Sequence, residues 1–289
     1  MDVVSNIIQM QELAGKLKSE GKTIGLVPTM GYLHRGHLSL AARARQENDI
    51  VVMSNFVNPL QFGPQEDFAA YPRDLERDNK LAESAGADYV FAPQGEEMYP
   101  QGYGAYVQVR GEAAEKMCGR SRPGHFLGVT TVVLKLLIIT QPNRAYFGQK
   151  DAQQAIIVRK MVEDLDLPLE IVTCPIVREG DGLALSSRNT YLSPQEREHA
   201  LALPKALGAG RALILQGERN PSRVREEMRR VLESSPGIRV DYVEVVDGKT
   251  LQELPVLQGY VLLAAAVFVG KTRLIDNIDL EVAPCTAAC

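Results

Sequence analysis

The sequence is poor in cysteine and has no excess of basic residues. Its four cysteines are scattered, without the pair spacing typical of a metal site, and Cys285 and Cys289 lie in a tail of small residues. This usage favours reduced thiols over a disulfide framework. The formal net charge of −4 argues against a nucleic-acid-binding protein with a broad basic surface, although it leaves room for a local basic pocket. We therefore expect no nucleic-acid partner.

The sequence also lacks long apolar runs. Its longest apolar stretch, at 260–269, is too short to span a bilayer. Residues 1–22 have the pattern of an amphipathic helix rather than the basic-then-apolar form of a signal peptide. We therefore expect a cytoplasmic protein with no membrane partner.

No internal repeat, low-complexity segment or GxGxxG dinucleotide fingerprint occurs, and the first two thirds of the chain alternate between two kinds of segment. Short apolar runs predict buried strands, and amphipathic stretches between them predict helices. The predicted strands span 23–28, 49–57, 88–93, 144–148 and 170–177, and the predicted helices lie near 37–47, 73–86, 128–140 and 151–164. This alternation predicts the α/β class, with a doubly wound, Rossmann-like parallel sheet that binds ligands beyond the carboxyl ends of its strands.

The pattern changes after about residue 177, where a polar, turn-rich segment begins. Two helical stretches and two strand-like runs follow, at 194–216, 221–234, 238–247 and 260–269. We expect a domain boundary at 177–185. Residues 1–177 then form the Rossmann-like domain, and residues 178–289 form a smaller α+β domain.

Two of the four histidines lie three residues apart, where a predicted strand gives way to a helix. His34, Gly36 and His37 occupy the turn and the first helical turn, where free N–H groups and the helix dipole favour a phosphate. Gly36 lets the backbone approach a ligand, and both imidazoles can donate hydrogen bonds to phosphate oxygens. The alternative is a pair of capping or surface histidines, which so short a motif does not exclude.

Two other loops suit a nucleotide. Lys150 and Asp151 follow a predicted strand and open the next helix. Lys150 can reach a phosphate, and Asp151 either caps the helix or accepts a hydrogen bond from a ribose hydroxyl. Ser186, Ser187 and Arg188 offer two hydroxyls and a guanidinium in a loop suited to close over a triphosphate. Each of these motifs alone is also typical of an ordinary surface turn.

Two more loops are polar. Asn58 and Gln61 are neutral amides in a proline-containing loop that follows a predicted strand. Arg120, Arg122 and His125 form a basic loop ahead of a predicted helix. This basic loop is compatible with a solvated turn as well as with a catalytic role.

Together these segments resemble the pantothenate synthetase (pantoate–β-alanine ligase) family of the nucleotidyltransferase superfamily. The likeness covers nearly the whole chain and rests on long motifs in the family's order and spacing. These motifs are VPTMG-LH-GHLSL at 27–40, FVNPLQFGP-EDF--YPR at 56–73, RPGHF-GV-TVV-KL at 122–136, FG-KD-QQ at 147–154, DGLALSSRN-YLS at 181–193 and RLIDN at 273–277.

The resemblance implies an enzyme that condenses (R)-pantoate with β-alanine through a pantoyl adenylate, releasing pyrophosphate and then AMP. ATP is then a substrate, and Mg²⁺ is bound through the ATP phosphates rather than in a dedicated protein site. ATP, pantoate and β-alanine are the implied small-molecule partners. A homodimer is implied by analogy with the family.

The resemblance also implies the site residues. The positions that match the family's ATP contacts are Met30, His34, His37, Gly148, Lys150, Asp151, Val177, Leu185, Ser186, Ser187 and Arg188. Within this set the implied catalytic residues are His34, His37, Lys150, Ser186, Ser187 and Arg188. Gly148 and Asp151 match ribose-binding positions, and Val177 matches a backbone contact to adenine. The positions that match the pantoate pocket are Met30, Asn58, Gln61 and Gln154.

The residue types suit this chemistry. A carboxylate that attacks the α-phosphate is repelled by another anion, and the imidazoles, Lys150 and Arg188 offset that repulsion. Amide donors such as Gln61 and Gln154 hold the pantoate carboxylate with less neutralisation than an arginine, so the carboxylate stays nucleophilic.

The candidate residues fall on both sides of the predicted boundary. We therefore expect the 177–185 segment to be a hinge, with Gly180 and Gly182 supplying backbone freedom. The smaller domain is then a lid that brings Arg188 over the triphosphate and keeps water away from the adenylate.

Three other functions use similar features. An adenylyltransferase that keeps the nucleotide in its product is disfavoured by the Asn58 and Gln61 loop and by the long second domain. A non-catalytic nucleotide sensor is disfavoured because every candidate catalytic residue is retained. A tRNA-charging enzyme is disfavoured by the chain's size and acidic charge.

Overall fold

The computed structural model describes residues 1–64 and 66–284, and it contains two separate β-sheets. The strands of the first sheet are β1 (Asp2–Val4), β2 (Ile24–Thr29), β3 (Ile50–Asn55), β4 (Tyr89–Phe91), β5 (Arg144–Gly148) and β6 (Glu170–Cys174). They pair in the order β1-β4-β3-β2-β5-β6, and every pair is parallel. The chain winds outward from β2 in one direction and from β5 in the other, which confirms the predicted doubly wound α/β fold. In such sheets the ligand crevice lies where the winding reverses, here between β2 and β5.

Helices cover both faces of this sheet because its strands are apolar on both sides. The helices are α1 (Ile7–Ser19), α2 (Arg35–Glu47), α3 (Leu75–Ser84), α4 (Gly95–Met98), α5 (Glu112–Glu115), α6 (Cys118–Ser121), α7 (His125–Thr140) and α8 (Ala152–Asp164). Neighbouring strand residues point to opposite faces. Leu26 packs in a core with α1, α7 and α8, whereas Val27 packs in a second core with α2 and α3.

The second sheet is antiparallel and follows three helices. Its strands β7 (Ile238–Asp247), β8 (Gly259–Val269) and β9 (Thr272–Val282) pair in sequence order, after α9 (Pro194–Ala200), α10 (Ala202–Leu215) and α11 (Pro221–Glu233). Leu263 and Ala265 of β8 pack with these helices. Leu262 and Ala264, on the other face of β8, belong to the core that holds Leu26. One face of the small sheet therefore packs on the large α/β unit.

Three local predictions were wrong. Residues 2–4, predicted as helix, form β1, which pairs with β4, and α1 begins only after Asn6, whose side chain accepts a hydrogen bond from the Gln9 N–H. The helix predicted at 194–216 is two helices, α9 and α10, which are separated at Leu201. Strand β9 was not predicted, since its buried polar residues obscure the apolar pattern. The two strands, β1 and β9, depend on pairing with other parts of the chain.

Two general predictions concern redox state and membranes. Cys118 and Cys174 are buried free thiols, while Cys285 and Cys289 lie outside the described residues. Within residues 1–64 and 66–284, the helices are too short or too polar to cross a bilayer.

Candidate active site

A cavity of about 220 Å³ opens at the carboxyl ends of β2, β3 and β5, next to the reversal of the sheet. It adjoins a larger cleft, of about 1050 Å³, that reaches the antiparallel sheet. Arg122, Lys150 and Arg188 line both the cavity and the cleft. The smaller cavity is lined by all the residues that the motifs single out for ATP and pantoate: Met30, His34, His37, Asn58, Gln61, Gly148, Lys150, Asp151, Gln154, Val177, Leu185, Ser186, Ser187 and Arg188. The fold thus brings separate sequence motifs together at one site.

His34 and His37 stand at the start of α2. The His34 Nδ1 accepts a hydrogen bond from the Gly36 N–H at 3.1 Å, and the His37 Nδ1 accepts one from the His34 N–H at 3.4 Å. Each ring therefore carries its proton on Nε2 when it is neutral. Capping and phosphate binding are then not alternatives, because one ring nitrogen caps the helix and the other remains a donor.

Both imidazoles are held neutral. Burial, aided by the charge of Lys150, lowers the pKa of His34 to about 4. Burial also holds the pKa of His37 well below its usual range, and His34 and Lys150 lower it further. At neutral pH the pair consequently offers two uncharged Nε2–H donors.

Gly36 is constrained by the neighbouring imidazole as well as by any ligand. A Cβ on Gly36 would lie 2.9 Å from atoms of the His34 ring. The glycine is therefore required by the position of the His34 imidazole, whether or not a ligand approaches the backbone there.

Asp78 of α3 supports the loop before the histidines, and the sequence motifs did not identify it. This carboxylate is 2% exposed and accepts hydrogen bonds from the N–H groups of Tyr32 at 2.6 Å and Leu33 at 2.7 Å. It also accepts one from the Asn55 amide at 3.0 Å. These contacts hold Tyr32 at a φ of 49°, a conformation unusual for a non-glycine residue. An aspartate on the buried face of α3, one turn before the buried Ala82, is the sequence signal for this role.

Lys150 lies in a 3₁₀ turn, Gln149–Asp151, directly after β5. Its Nζ is 3.6 Å from the Asp151 carboxylate. A Cβ on Gly148 would meet nothing within 4 Å, so the backbone there is open to a ligand. Asp151 precedes α8, but its side chain makes no capping hydrogen bond, and the predicted capping alternative is therefore wrong.

The 186–188 loop is tied to the 56–73 motif. The Ser187 and Tyr71 hydroxyls lie 3.2 Å apart. The Arg188 guanidinium donates two hydrogen bonds to the Asp67 carboxylate, at 3.0 and 2.8 Å. Ser186 caps the 3₁₀ turn Ser187–Tyr191 by accepting from the Arg188 N–H. Tyr71 and Asp67 were missed because nothing in the sequence pairs them with a loop more than a hundred residues later.

The loop that contains Asn58 and Gln61 is held by hydrogen bonds to several neighbouring segments. Asn58 is 1% exposed, and its Nδ2 donates to the Gln61 Oε1 and to the Gly128 carbonyl, both at 3.1 Å. Its Oδ1 accepts from the Tyr99 hydroxyl at 2.8 Å. The Gln61 Nε2 in turn lies 3.0 Å from the Met30 Sδ. The Asn58 amide is engaged by protein at both ends, which suits a residue that orients Gln61.

The predicted basic loop divides in two: Arg120 is exposed on α6, whereas Arg122 and His125 belong to a paired network. Arg122 donates to both oxygens of Glu66, at 2.6 and 2.7 Å, and to the His125 Nε2 at 2.9 Å. The other ring nitrogen, Nδ1, lies 2.9 Å from the Gln61 carbonyl, so it carries the proton and donates it there. Burial lowers the pKa of His125 to about 4, and the Arg122 charge contributes. This network holds the backbone of Gln61.

Within residues 1–64 and 66–284, no cluster of three or more His, Cys, Asp or Glu side chains could hold a metal ion. Phosphate oxygens of a nucleotide are suitable ligands for Mg²⁺.

Neutral histidine donors and a lysine lie just beyond strand ends of this doubly wound sheet, and an arginine from a later loop lines the same cavity. This arrangement is typical of a nucleotide-using enzyme. The sequence profile of the family described as pantoate-beta-alanine ligase matches residues 2–279. The chain belongs to that family, and the predicted resemblance and ligase class are confirmed.

Relatives and solved structures agree. The chain is 59% identical to the pantothenate synthetase of Moorella thermoacetica, across 98% of this chain and 99% of the relative. It is similar to the crystal structure of the pantothenate synthetase from Thermus thermophilus, with a TM-score of 0.92, 48% identity, and coverage of 98% of this chain and 100% of that one. It is also similar to a Francisella tularensis pantoate-beta-alanine ligase complexed with beta-gamma ATP and beta-alanine. That likeness has a TM-score of 0.77 and 36% identity, with coverage of 96% and 97%.

Proposed function

We propose that this chain catalyses the ATP-dependent condensation of (R)-pantoate with β-alanine. Pantoyl adenylate and pyrophosphate form first, and pantothenate and AMP form second. Family membership supports the reaction, and a relative's complex with beta-gamma ATP and beta-alanine supports the substrates. The observation that carries the site assignment is the single cavity lined by the candidate residues of the separate motifs.

In the first step a pantoate carboxylate oxygen bonds to the α-phosphorus of ATP. The bond from that phosphorus to the bridging oxygen breaks, and pyrophosphate leaves with the electron pair. The Nε2–H groups of His34 and His37 donate to phosphate oxygens on which charge grows, and the Lys150 and Arg188 cations offset it. Mg²⁺ bound by the ATP phosphates would supply further positive charge there.

The pantoate carboxylate is held by neutral amides. Gln61 and Gln154 donate hydrogen bonds to it, Met30 provides an apolar contact, and Asn58 acts by orienting Gln61. A carboxylate held in this way keeps more of its nucleophilicity than one paired with an arginine.

In the second step the β-alanine amine bonds to the acyl carbon of the adenylate. The acyl–phosphate bond breaks, AMP leaves, and the amine nitrogen gives up a proton. The remaining assignments are proposed on the same motif matches: Gly148 and Asp151 for the ribose, Val177 for a backbone contact to adenine, and Leu185 for ATP without a more specific role.

We also propose that residues 178–289 act as a lid hinged at 177–185 and that the packing of the small sheet on the α/β unit is its closed state. The hinge segment is a small hairpin in which the Glu179 N–H bonds to the Leu183 carbonyl at 2.8 Å and the Leu185 N–H to the Val177 carbonyl at 3.0 Å. Gly182, with a φ of 92°, makes its turn. A homodimer is proposed from the family resemblance. A cytoplasmic location is proposed from the composition.

The reaction is tested by incubating the protein with ATP, Mg²⁺, pantoate and β-alanine and identifying the products by mass. Pantothenate, AMP and pyrophosphate are expected, and pantoate without β-alanine should support exchange of labelled pyrophosphate into ATP. A product that retains the nucleotide would instead indicate an adenylyltransferase. ATP binding without turnover would indicate a nucleotide sensor, and turnover without such exchange would contradict the two-step scheme.

A further inference from the structure

The RLIDN segment at 273–277 has no part in the function proposed above, yet it reaches the active site. Asn277 of β9 is 3% exposed. Its Nδ2 donates to the carbonyls of Gln149 at 2.9 Å and Lys150 at 3.0 Å. Its Oδ1 accepts from the Gln149 Nε2 at 3.1 Å. A side chain of the antiparallel sheet therefore binds the backbone of the turn that carries Lys150.

These bonds matter because the turn has no side-chain cap of its own. Gly148, which precedes the turn, has no side chain with which to cap it. Asp151, which precedes α8, makes no side-chain capping bond. A buried amide satisfied by backbone carbonyls fixes their positions, since leaving either partner unpaired is costly. Asn277 supplies the fixed reference that the turn lacks.

The neighbouring residue ties down a second loop. The Asp276 carboxylate, 2% exposed, accepts two hydrogen bonds from the Arg178 guanidinium, at 2.6 and 3.0 Å. One of its oxygens also accepts from the Asn277 N–H at 2.8 Å. Arg178 begins the hairpin that leads to the 186–188 loop. Adjacent residues of β9 thus hold the two loops that carry the candidate phosphate-binding cations, Lys150 and Arg188.

We propose that Asn277 is a positioning residue for adenylate formation. Its amide fixes the Lys150 turn against β9, and this sets where the Lys150 ammonium stands relative to Arg188 on the other loop. The inference rests on the proposed function, because it takes Lys150 as a ligand of the phosphate chain. A displacement of about 1 Å can cost on the order of 10²-fold in rate when charged groups must meet a transition state.

The test compares two variants. Asn277→Leu keeps a similar volume and removes all three side-chain hydrogen bonds, whereas Gln149→Leu removes only the bond to the Asn277 Oδ1 and keeps both backbone bonds. Asn277→Leu should lower kcat for pyrophosphate exchange by about 10- to 100-fold and leave pantoate affinity unchanged. Gln149→Leu should stay within about threefold of the parent protein. An unchanged kcat in Asn277→Leu overturns the proposal.

A third comparison separates positioning from general destabilisation. If Asn277 acts through Lys150, then adding Asn277→Leu to Lys150→Ala should lower kcat for pyrophosphate exchange by less than about threefold. The group that Asn277 positions is already gone in that background. A full, multiplied loss in the double variant would overturn the proposal, since Asn277 would then act independently of Lys150. If Asn277→Leu does not fold, Asn277→Ser takes its place in the same cycle.

Backbone amide hydrogen exchange gives a readout that does not need activity. Amides of residues 148–156 should exchange faster in the Asn277 variant and at the parent rate in Gln149→Leu. If the parent protein does not exchange pyrophosphate at all, the proposed function fails, and this measurement still decides whether Asn277 holds the turn. Equal amide hydrogen-exchange rates in the parent protein, the Asn277 variant and Gln149→Leu would overturn the inference.

Discussion

The imidazole rings of His34 and His37 are stacked, with their centroids 4.0 Å apart and their planes 19° from parallel. Each ring turns its Nδ1 to a backbone N–H at the start of α2. The stack is possible because neither ring is charged, as burial keeps both pKa values low. Two neutral donors side by side can both donate hydrogen bonds to phosphate oxygens on which charge develops, and they do not repel each other.

Replacing either histidine should therefore impair adenylation. Alanine at His34 or His37 should slow pyrophosphate exchange by roughly 10²–10³-fold, the usual cost of losing one transition-state donor. Arg35→Ala is the matched control, because Arg35 is exposed in the same helical turn. Exchange rates are measured at saturating ATP and pantoate. Unchanged exchange in both histidine variants would leave the pair with a capping role only.

Stability should depend on pH through His125. Its pKa is about 4 in the folded protein and near 6.5 in an unfolded chain, so between these values the unfolded state binds more protons. Stability is thus present above about pH 6.5 and is lost as the pH falls toward 4. When the pH falls from 7 to 5, protonation linked to His125 should lower the free energy of unfolding by roughly 2 kcal/mol.

Urea unfolding of the parent protein and of His125→Asn at both pH values measures this effect. Asparagine can still donate to the Gln61 carbonyl but does not titrate. The parent protein should lose roughly 2 kcal/mol more than the variant on acidification. Equal losses would mean that His125 is not held neutral by the fold.

Arg188→Ala should separate adenylation from pantoate binding. Because its proposed partner is the phosphate chain, its loss should slow adenylate formation in single-turnover experiments far more than it weakens pantoate binding. Arg211→Ala, an exposed change on α10, is the control. Weakened pantoate affinity with a normal adenylation rate at saturation would refute both the phosphate assignment and the lid.

Gly128→Ala should disturb the pantoate pocket. A Cβ there would lie 2.2 Å from the Leu60 carbonyl oxygen, so the 58–61 turn must move. We expect a loss of about 1–3 kcal/mol in unfolding free energy and a raised KM for pantoate.

Gly208→Ala is the matched control for this substitution. Gly208 lies in α10, and a Cβ there meets nothing within 4 Å. That change should stabilise the protein by roughly 0.5–1 kcal/mol and leave KM unchanged. An unaltered pantoate KM in Gly128→Ala would show that the turn does not shape the pocket.

The order of strands and helices in the first two thirds was predictable because it depends on local spacing. Apolar runs set β2, β3, β4, β5 and β6, and the four predicted helices appear within a few residues of their expected bounds. Elements that depend on distant partners were not predictable. Strand β1 exists because it pairs with β4, and β9 buries Asp276 and Asn277 only because loops from the other sheet meet them.

The sequence by itself identified the residues that we propose carry the chemistry. Parallel strands end at one edge of the sheet, so motifs that follow those strands had to converge there. Only the tertiary structure decided the state and support of these residues. The neutral Nε2–H form of His34, the Asp67 partner of Arg188 and the Asn277 bonds to the Lys150 turn all depend on burial and on contacts between distant segments. Local sequence patterns do not encode such contacts, because a hydrogen-bond partner is chosen by the folded surface that surrounds a group.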